Sequence, residues 1–345
     1  MAVLDENGLA ELWSIINKWG LAEETKTMLG LPKGSTPNTA FQKLAMPYGY
    51  YGFDVTTIFE DGSIAPNIIL SGLQDFSGNT VMTDENGRCP IAVHQSATPT
   101  VTISGYLDVV DTSVTLSTQD GFVFTPVTIR LAKNTSTHTI TASSSTLRTT
   151  GVSTYDITAV GGGGGGAKND GGGGGGGYMT TKLGVSIDTV NFSVTVGGGG
   201  ATGNSGGSSS VIDGNSVVLV AANGGGGGGS STGGAGNGKG GDIRQAGANA
   251  VGYLFDDESL GVPGGGGGGG TLTSHSSIPG SWEQKPGGSP YGGGGSHSYR
   301  DADYNYHYYG GEAGKGPGGG GGAGRSGYNG GAGAAGVVFM RARFV

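Results

Sequence analysis

Two glycine runs separated by four residues, VGGGGGGAKNDGGGGGGG from Val160 to Gly177, open a field of glycine runs that extends to Gly336. The chain has 345 residues and 79 glycines, and only 13 of these lie at or before Gly151. Glycine therefore makes up about a third of the later residues, a fraction typical of fibrous or disordered chains. With so few side chains, this part of the chain cannot bury an ordinary apolar core.

Two simple interpretations of the glycine field conflict with the sequence. Collagen requires glycine at every third position with proline between, whereas these runs are uninterrupted and the whole chain has 12 prolines. A flexible linker would contain little besides glycine and serine. The runs are instead separated by segments with the alternation and β-branched residues of strands, at 154–160 (TYDITAV), 190–196 (VNFSVTV), 217–220 (VVLV) and 337–344 (VVFMRARF).

An ordered alternative is that each run forms an extended, left-handed polyglycine helix. In the polyproline-type conformation the backbone repeats every three residues without internal hydrogen bonds, so its N–H and C=O groups point outwards. Neighbouring helices can then pair laterally if nearly every position is glycine. We therefore predict that residues 154–345 form a bundle of polyglycine II helices with flanking strands. Disorder is the alternative that remains open.

The composition restricts the partners and the compartment. The formal net charge is −8, with 18 lysines and arginines and no basic cluster, so we expect neither nucleic acid nor an anionic membrane as a partner. The single cysteine, Cys89, excludes an internal disulfide and is expected to be a half-buried strand residue. Residues 1–20 lack the features of a signal peptide, and no apolar run approaches the ~20 residues of a membrane helix. We expect a protein made in the cytoplasm, without membrane insertion.

Residues 1–50 have the pattern of short helices. Asp5 can cap the first helix, whose apolar residues follow the i, i+3, i+4, i+7 spacing of one helix face. That face consists of Leu9, Leu12, Trp13, Ile16 and Trp19. So short a region buries little surface alone, and we predict that this face docks onto a partner or oligomerises. Packing against the next domain is the alternative.

From Phe53 onward the apolar period changes from that of a helix to that of a strand. Short strand candidates are separated by turn signals such as Asp61-Gly62 and Asp120-Gly121. This spacing predicts a small antiparallel β-sandwich over residues 51–132. The FEDG and TDENG stretches, at 59–62 and 83–87, resemble those of prealbumin-like or CnaB-like sandwiches, and the resemblance implies a spacer domain. The Ser/Thr-rich residues 133–153 are expected to be a linker.

No motif in the sequence argues for catalysis. The five histidines lack the spacing of a zinc site. Residues 203–207 (GNSGG) match GxSxG, but such matches arise by chance in glycine-rich sequence, and a hydrolase elbow needs a preceding strand and a following helix. The carboxylates Asp256, Asp257 and Glu258 have no partner motif. We expect no enzyme activity, no metal site and no cofactor.

The interruptions between the glycine runs carry side chains suited to recognition. Residues 296–309 read SHSYRDADYNYHYY, the preceding interruption contains Trp282 and Tyr291, and the one before it contains Tyr253 and Phe255. Loops rich in tyrosine, serine, glycine and asparagine are typical of antibody paratopes, where rigid rings give contact area at low entropic cost. Aromatic faces also stack on sugar rings while polar neighbours bond the hydroxyls. The alternative is that these rings pack on one another and cap the bundle.

With its glycine runs, its aromatic interruptions and the ending GGAGAAGVVFMRARF (330–344), the second half of the chain resembles the glycine-rich tip domains of bacteriophage tail-fibre adhesins. The opening segment LDENGLAELWSIINKWG (4–20) resembles the attachment helices of phage tail-fibre proteins. In such adhesins polyglycine helices form a scaffold, and the loops between them bind a receptor on the host surface. This chain differs from them in carrying its own N-terminal helices and sandwich.

The resemblance implies a receptor-binding protein of the virion tail. Its partners would be a host surface polysaccharide or protein and other tail or baseplate proteins, and the protein would be a homo-oligomer, with a trimer favoured. Carried over to this sequence, the receptor-binding residues are Trp282, Tyr291, His297, Tyr299, Arg300, Asp301, Asp303, Tyr304, Tyr306, His307, Tyr308 and Tyr309. The alternative is a structural glycine-rich surface or fibre protein without a receptor of its own.

Overall fold

The computed structural model describes residues 51–74, 79–93, 98–117, 125–242, 245–269, 282–284, 287–289, 292–293, 297–300, 306–325 and 327–344. The helices expected in residues 1–50, with the face formed by Leu9, Leu12, Trp13, Ile16 and Trp19, lie outside these described residues. The described structure is mainly β. The chain divides into two compact units, which we call the first unit (Met1–Asn134 with Thr149–Val152) and the glycine-rich unit (Thr135–Arg148 with Ser153–Val345).

The described part of the first unit contains two sheets. Their strands are β1 (Tyr51–Phe59), β2 (Ile69–Gln74), β3 (Thr80–Met82), β4 (Arg88–Val93), β5 (Thr100–Ile103), β6 (Thr112–Thr115) and β7 (Thr125–Leu131). The strand orders are β4-β1-β7 and β3-β2-β5-β6. Burial alternates along β5, in agreement with the period-two pattern of the sequence. Phe53, Phe59 and Leu131 are fully buried and form part of an apolar core.

One pairing in the first unit differs from the antiparallel sandwich that the sequence predicted. Strands β1 and β7 run in parallel, with Phe53 opposite Thr125 and Phe59 opposite Leu131. These are the first and last described strands of the unit, and the chain reaches β7 by way of the second sheet. A long crossover of this kind permits a parallel pair, whereas a tight turn can join only antiparallel strands.

The glycine-rich unit contains three sheets in its described part. Their strands are β8 (Thr137–Ile140), β9 (Ser144–Arg148), β10 (Ser153–Val160), β11 (Met179–Ser186), β12 (Asn191–Thr195), β13 (Ser209–Asp213), β14 (Val218–Ala222), β15 (Trp282–Gln284), β16 (His297–Arg300), β17 (Tyr306–Tyr308) and β18 (Val337–Phe344). The strand orders are β11-β10-β18-β8, β14-β13-β12-β9 and β15-β16-β17. The four strand segments predicted between the glycine runs are confirmed as β10, β12, β14 and β18.

The polar stretch 133–153, expected to be a linker, contains β8, β9 and the first residue of β10. In β8, Thr137 and Thr139 alternate with His138 and Ile140, and β-branched threonines favour strands. Both β8 and β9 lie at an edge of their sheet. The Ser/Thr-rich sequence is therefore suited to edge strands, which bury less side-chain surface than central ones.

A buried ion cluster joins β10 to β18, the last strand of the chain. The Asp156 side chain is fully buried, and its Oδ2 lies 2.9 Å from Arg341 Nη2 and 2.5 Å from Arg343 Nε. The Gly184 N–H donates to Asp156 Oδ1 at 3.2 Å. A buried carboxylate is tolerated only when its charge is paired, so β18 supplies the charges that Asp156 requires.

The glycine runs are joined to one another by backbone hydrogen bonds. Along residues 161–167 the donors follow a cycle of three. The N–H groups of residues 161, 164 and 167 donate into 172–178, those of 162 and 165 into 204–207, and those of 163 and 166 into 331–334, at 2.8 to 2.9 Å. As the residue number of the donor increases along the run, the residue number of the acceptor decreases in each neighbour. All three neighbours are therefore antiparallel to the run.

The carbonyl groups of the same run accept from three other neighbours, again in a cycle of three. Residues 162 and 165 accept from 225 and 228, residues 163 and 166 from 200 and 203, and residues 164 and 167 from 321 and 324. Here the residue numbers of donor and acceptor increase together, so these neighbours are parallel to the run. Run 161–167 therefore lies between six backbone segments, and its amide groups are paired without any side chain.

The close approach of these segments explains why the runs are glycine. An added Cβ at Gly161 or Gly164 would overlap the backbone of residues 223–226. At Gly162 or Gly165 it would overlap the backbone of residues 197–201. At Gly163 or Gly166 it would overlap the backbone of residues 318–323. At Gly198, by contrast, an added Cβ would meet no atom within 4 Å. Glycine is thus required in the interior of the bundle because backbone occupies the space of any side chain.

Candidate functional site

The hydrogen-bond directions place several turns together at one end of the bundle. Run 161–167 starts at Val160, the last residue of β10, and its parallel neighbours 200–203, 225–228 and 321–324 point the same way. The turns that follow these runs therefore lie at the end away from β10, which we call the distal end. These turns contain residues 168–170, 202–204, 230–232 and 327–329.

A three-stranded sheet emerges at the same distal end. Run 264–269 is parallel to 318–324, because the N–H groups of Gly320 and Ala323 donate to Gly266 and Gly269. It therefore ends at the distal end. Residues 310–314 run parallel to 329–332 and so begin there. Strand β17 ends immediately before this segment, at Tyr308, and the sheet order β15-β16-β17 joins the other two strands to it.

The register of this sheet brings seven of the predicted receptor-binding residues together. Trp282, Tyr299 and His307 occupy one cross-strand row. Tyr308 is paired with Ser298, Arg300 with Tyr306, and His297 with Gln284. Directly paired positions are backbone neighbours across a sheet. These residues come from two separate interruptions of the glycine field, so the sheet assembles them from distant parts of the sequence.

The remaining predicted site residues divide into one that is described and four that are not. Tyr309 follows β17 and its side chain is 46% exposed. Tyr291, Asp301, Asp303 and Tyr304 lie outside the described residues.

The aromatic residues of the earlier interruption lie at the opposite end. Segment 251–263 precedes run 264–269, and the N–H of Phe255 donates to Thr158 Oγ1 on β10 at 3.0 Å. The Phe255 ring is 3% exposed and lies 4.7 Å from the Arg341 guanidinium carbon. Phe255 therefore packs against the strands and is separate from the distal sheet.

Sequence reasoning missed a group of short turns at the distal end. The Asp170 N–H donates to the Gly324 carbonyl at 2.9 Å, and the Gly327 N–H donates to Asn169 Oδ1 at 3.1 Å. Tyr328, on the second of these turns, is 44% exposed. The available signal was weak, since it consisted of one tyrosine between glycine runs and an Asn-Asp pair suited to left-handed turn positions.

The titratable groups with shifted pKa values have structural causes. A hydrogen bond from the Gly233 N–H, with help from Lys239, lowers the pKa of Asp242, and hydrogen bonds from Ser259 lower that of Asp257. In the first unit, pairing with Lys133 lowers the pKa of Asp61, and burial raises that of Cys89 to about 11. Within the described ranges no group of three or more metal-ligating side chains is found.

The fold and its distal end define a glycine-rich β protein in which backbone-paired runs carry a small aromatic sheet. A protein-family model for a glycine-rich domain matches residues 137–343, more than half of the chain, and the protein belongs to this family. A search of curated proteins gave no match. In the part of the chain that the structure describes, no helix is long and apolar enough to cross a membrane.

Proposed function

We propose that the glycine runs are polyglycine II helices packed into a bundle. The support is the cycle of three shared by the donors, the acceptors and the close backbone approaches of run 161–167. Run 172–178 behaves in the same way, since its amides at 172 and 175 donate into 226–229 and those at 173 and 176 into 238–241. A three-residue repeat with outward-pointing amides is the geometry of this helix.

We further propose that the protein is a bacteriophage tail-fibre adhesin that recognises a surface glycan or protein of its host. The observation that carries the proposal is the aromatic sheet β15-β16-β17 at the distal end, far along the bundle from β10 and β18. A backbone-paired scaffold holds its turns rigidly, and rigid aromatic side chains bind with little loss of entropy. The helices predicted in residues 1–50 would join the protein to other tail components as a homo-oligomer, and no catalytic step is involved.

A structural glycine-rich fibre protein is the second candidate. It is favoured if the rings of the distal sheet serve only to cover the end of the bundle. The 46% exposure of Tyr309 argues against complete coverage.

Adsorption of the full-length protein to a panel of bacterial strains tests the proposal. We expect adsorption to at least one strain and its loss in the triple variant Tyr304→Ala, Tyr306→Ala, Tyr308→Ala. The matched control is the double variant Tyr178→Ala, Tyr253→Ala, which removes exposed tyrosines near the strands and should adsorb normally. Both variants should melt like the wild type. Equal adsorption by the triple variant would contradict the site, and the absence of adsorption to any strain would favour the structural protein.

A further inference from the structure

Three distal turns are locked together by hydrogen bonds. Besides the two bonds that join turn 168–170 to Gly324 and Gly327, Thr202 Oγ1 donates to the Gly330 carbonyl at 2.8 Å. The Tyr328 N–H also donates to the Arg325 carbonyl at 2.7 Å. Tyr328 is therefore presented on a turn whose backbone is fixed by its neighbours. A turn held in this way loses little backbone freedom when its side chain binds a ligand.

The Tyr328 turn adjoins the segment that carries the aromatic sheet. The N–H groups of Gly311 and Gly314 donate to Asn329 and Ala332, at 3.3 Å and 2.9 Å. The two segments thus run side by side from the distal end. Tyr309 lies two residues before Gly311 and is 46% exposed. Tyr328 lies one residue before Asn329 and is 44% exposed. Exposed rings therefore stand at the start of two adjacent segments.

The polar side chains beside Tyr328 supply hydrogen-bonding groups. Lys168 and Asn169 are exposed on the turn that is bonded to Gly327. Because Asn169 Oδ1 accepts from Gly327, its Nδ2 group remains oriented as a donor, and Lys168 adds an ammonium with three donors. An aromatic face next to amide and ammonium donors matches the apolar face and hydroxyl edge of a sugar ring.

The exposed apolar side chains described at the distal end suit a sugar ring. Among the described residues at the distal end, the large exposed apolar side chains are tyrosines. Among the described residues of this unit, the exposed aliphatic side chains lie on or next to the strands and on segment 251–263, and they are Leu183, Val217, Val218, Val251 and Leu260.

We propose that Tyr328, Lys168 and Asn169 form a saccharide-binding subsite beside the aromatic sheet. The proposal rests on the adhesin function and specifies its ligand class. The Tyr328 ring stacks on a sugar, the two polar side chains bond its hydroxyls, and the sheet contacts a neighbouring part of the same glycan.

The test uses full-length protein and purified surface polysaccharide from a strain to which the wild type adsorbs. We expect the dissociation constant of Tyr328→Ala to rise about tenfold, which corresponds to about 1.4 kcal/mol, because an aromatic contact is lost. Tyr328→Phe should retain most of the affinity because the ring is kept. Tyr178→Ala, which removes a 42% exposed tyrosine near the strands, is the matched control and should bind within about twofold of wild type.

Two results would overturn the subsite while leaving the adhesin function intact. One is equal affinity of Tyr328→Ala and Tyr178→Ala for the polysaccharide. The other is adsorption that survives periodate oxidation of the cell surface but is lost after protease treatment, which would identify a protein receptor. If the wild type adsorbs to no strain, the adhesin function itself fails, so the two failures are distinguishable.

Discussion

The first unit and the glycine runs of the glycine-rich unit have opposite kinds of interior. The first unit buries side chains such as Phe53, Phe59 and Leu131 in an apolar core, so its stability comes from apolar surface removed from water. Around run 161–167 the interior is peptide backbone, and the N–H groups of residues 161–167 and the carbonyl groups of residues 162–167 are paired with neighbouring segments. A side-chain core tolerates changes of shape, whereas a backbone core has no space for an added methyl group.

The largest effect is expected when a methyl group is added inside the bundle. Gly164→Ala would force Cβ against the Gly226 backbone, and we expect a loss of about 3 kcal/mol or more, at the upper end of overpacking costs. Gly198→Ala is the matched control, since its Cβ meets open space, and it should change the stability by less than about 0.5 kcal/mol. Thermal unfolding of both variants measures the difference, and equal melting temperatures would refute a backbone core.

The second-largest effect is expected at the ion cluster that joins β10 to β18 in the glycine-rich unit. Asp156→Asn leaves two partly exposed arginines without their buried counter-charge. We expect a loss of roughly 2 kcal/mol, less than for a fully buried pair because solvent screens the arginines. Hydrogen exchange should increase in β18 and not in the first unit. If exchange in β18 stays at the wild-type level, the cluster is not what holds the last strand.

A smaller effect is expected when a methyl group is removed from the core of the first unit. Ile129 is 1% exposed, and Ile129→Val should cost about 1 kcal/mol. Denaturant unfolding of the full-length protein provides the measurement, with hydrogen exchange monitored in peptides from the first unit. A loss as large as that of Gly164→Ala would remove the contrast between the two interiors.

The smallest effect at neutral pH concerns the buried thiol. Burial raises the pKa of Cys89 to about 11 from an ordinary value of 9.0. The Cys89 thiol therefore stays protonated to a higher pH in the folded state than in the unfolded state. Its contribution to the free energy of unfolding is fully present below pH 9 and is lost as the pH rises through 11. Relative to Cys89→Ala, the wild type should lose roughly 1 kcal/mol between pH 8 and pH 10. Parallel stability curves for the two proteins would show that the thiol does not ionise differently on unfolding.

Sequence patterns predicted the local features of the glycine-rich unit but not its pairing. The segments that became β10 and β18 have clear strand alternation, and the uninterrupted glycine runs indicated lateral backbone pairing. The partners could not be predicted, because Gly166 pairs with Gly331 and every glycine in the field has the same chemistry. Partner choice depends on the turn lengths and on the flanking strands.

The candidate site was predicted in the same uneven way. The dense tyrosines of β16 and β17 are visible in the composition, whereas Tyr328 stands alone in a short turn. Its position became evident only from the direction of the runs. Phe255 shows the converse, since an aromatic residue in an interruption of the field packs against β10 instead of joining the distal sheet.

Hydrogen exchange of the wild-type protein, resolved by mass spectrometry, tests the backbone core most directly. If the runs are paired as in the structure, amides of 161–167 and 172–178 should be protected as strongly as those of β10, although they belong to no strand. Exchange of these amides at the rate of an unstructured glycine peptide, while β10 remains protected, would contradict the backbone core and the scaffold that it provides for the distal sheet.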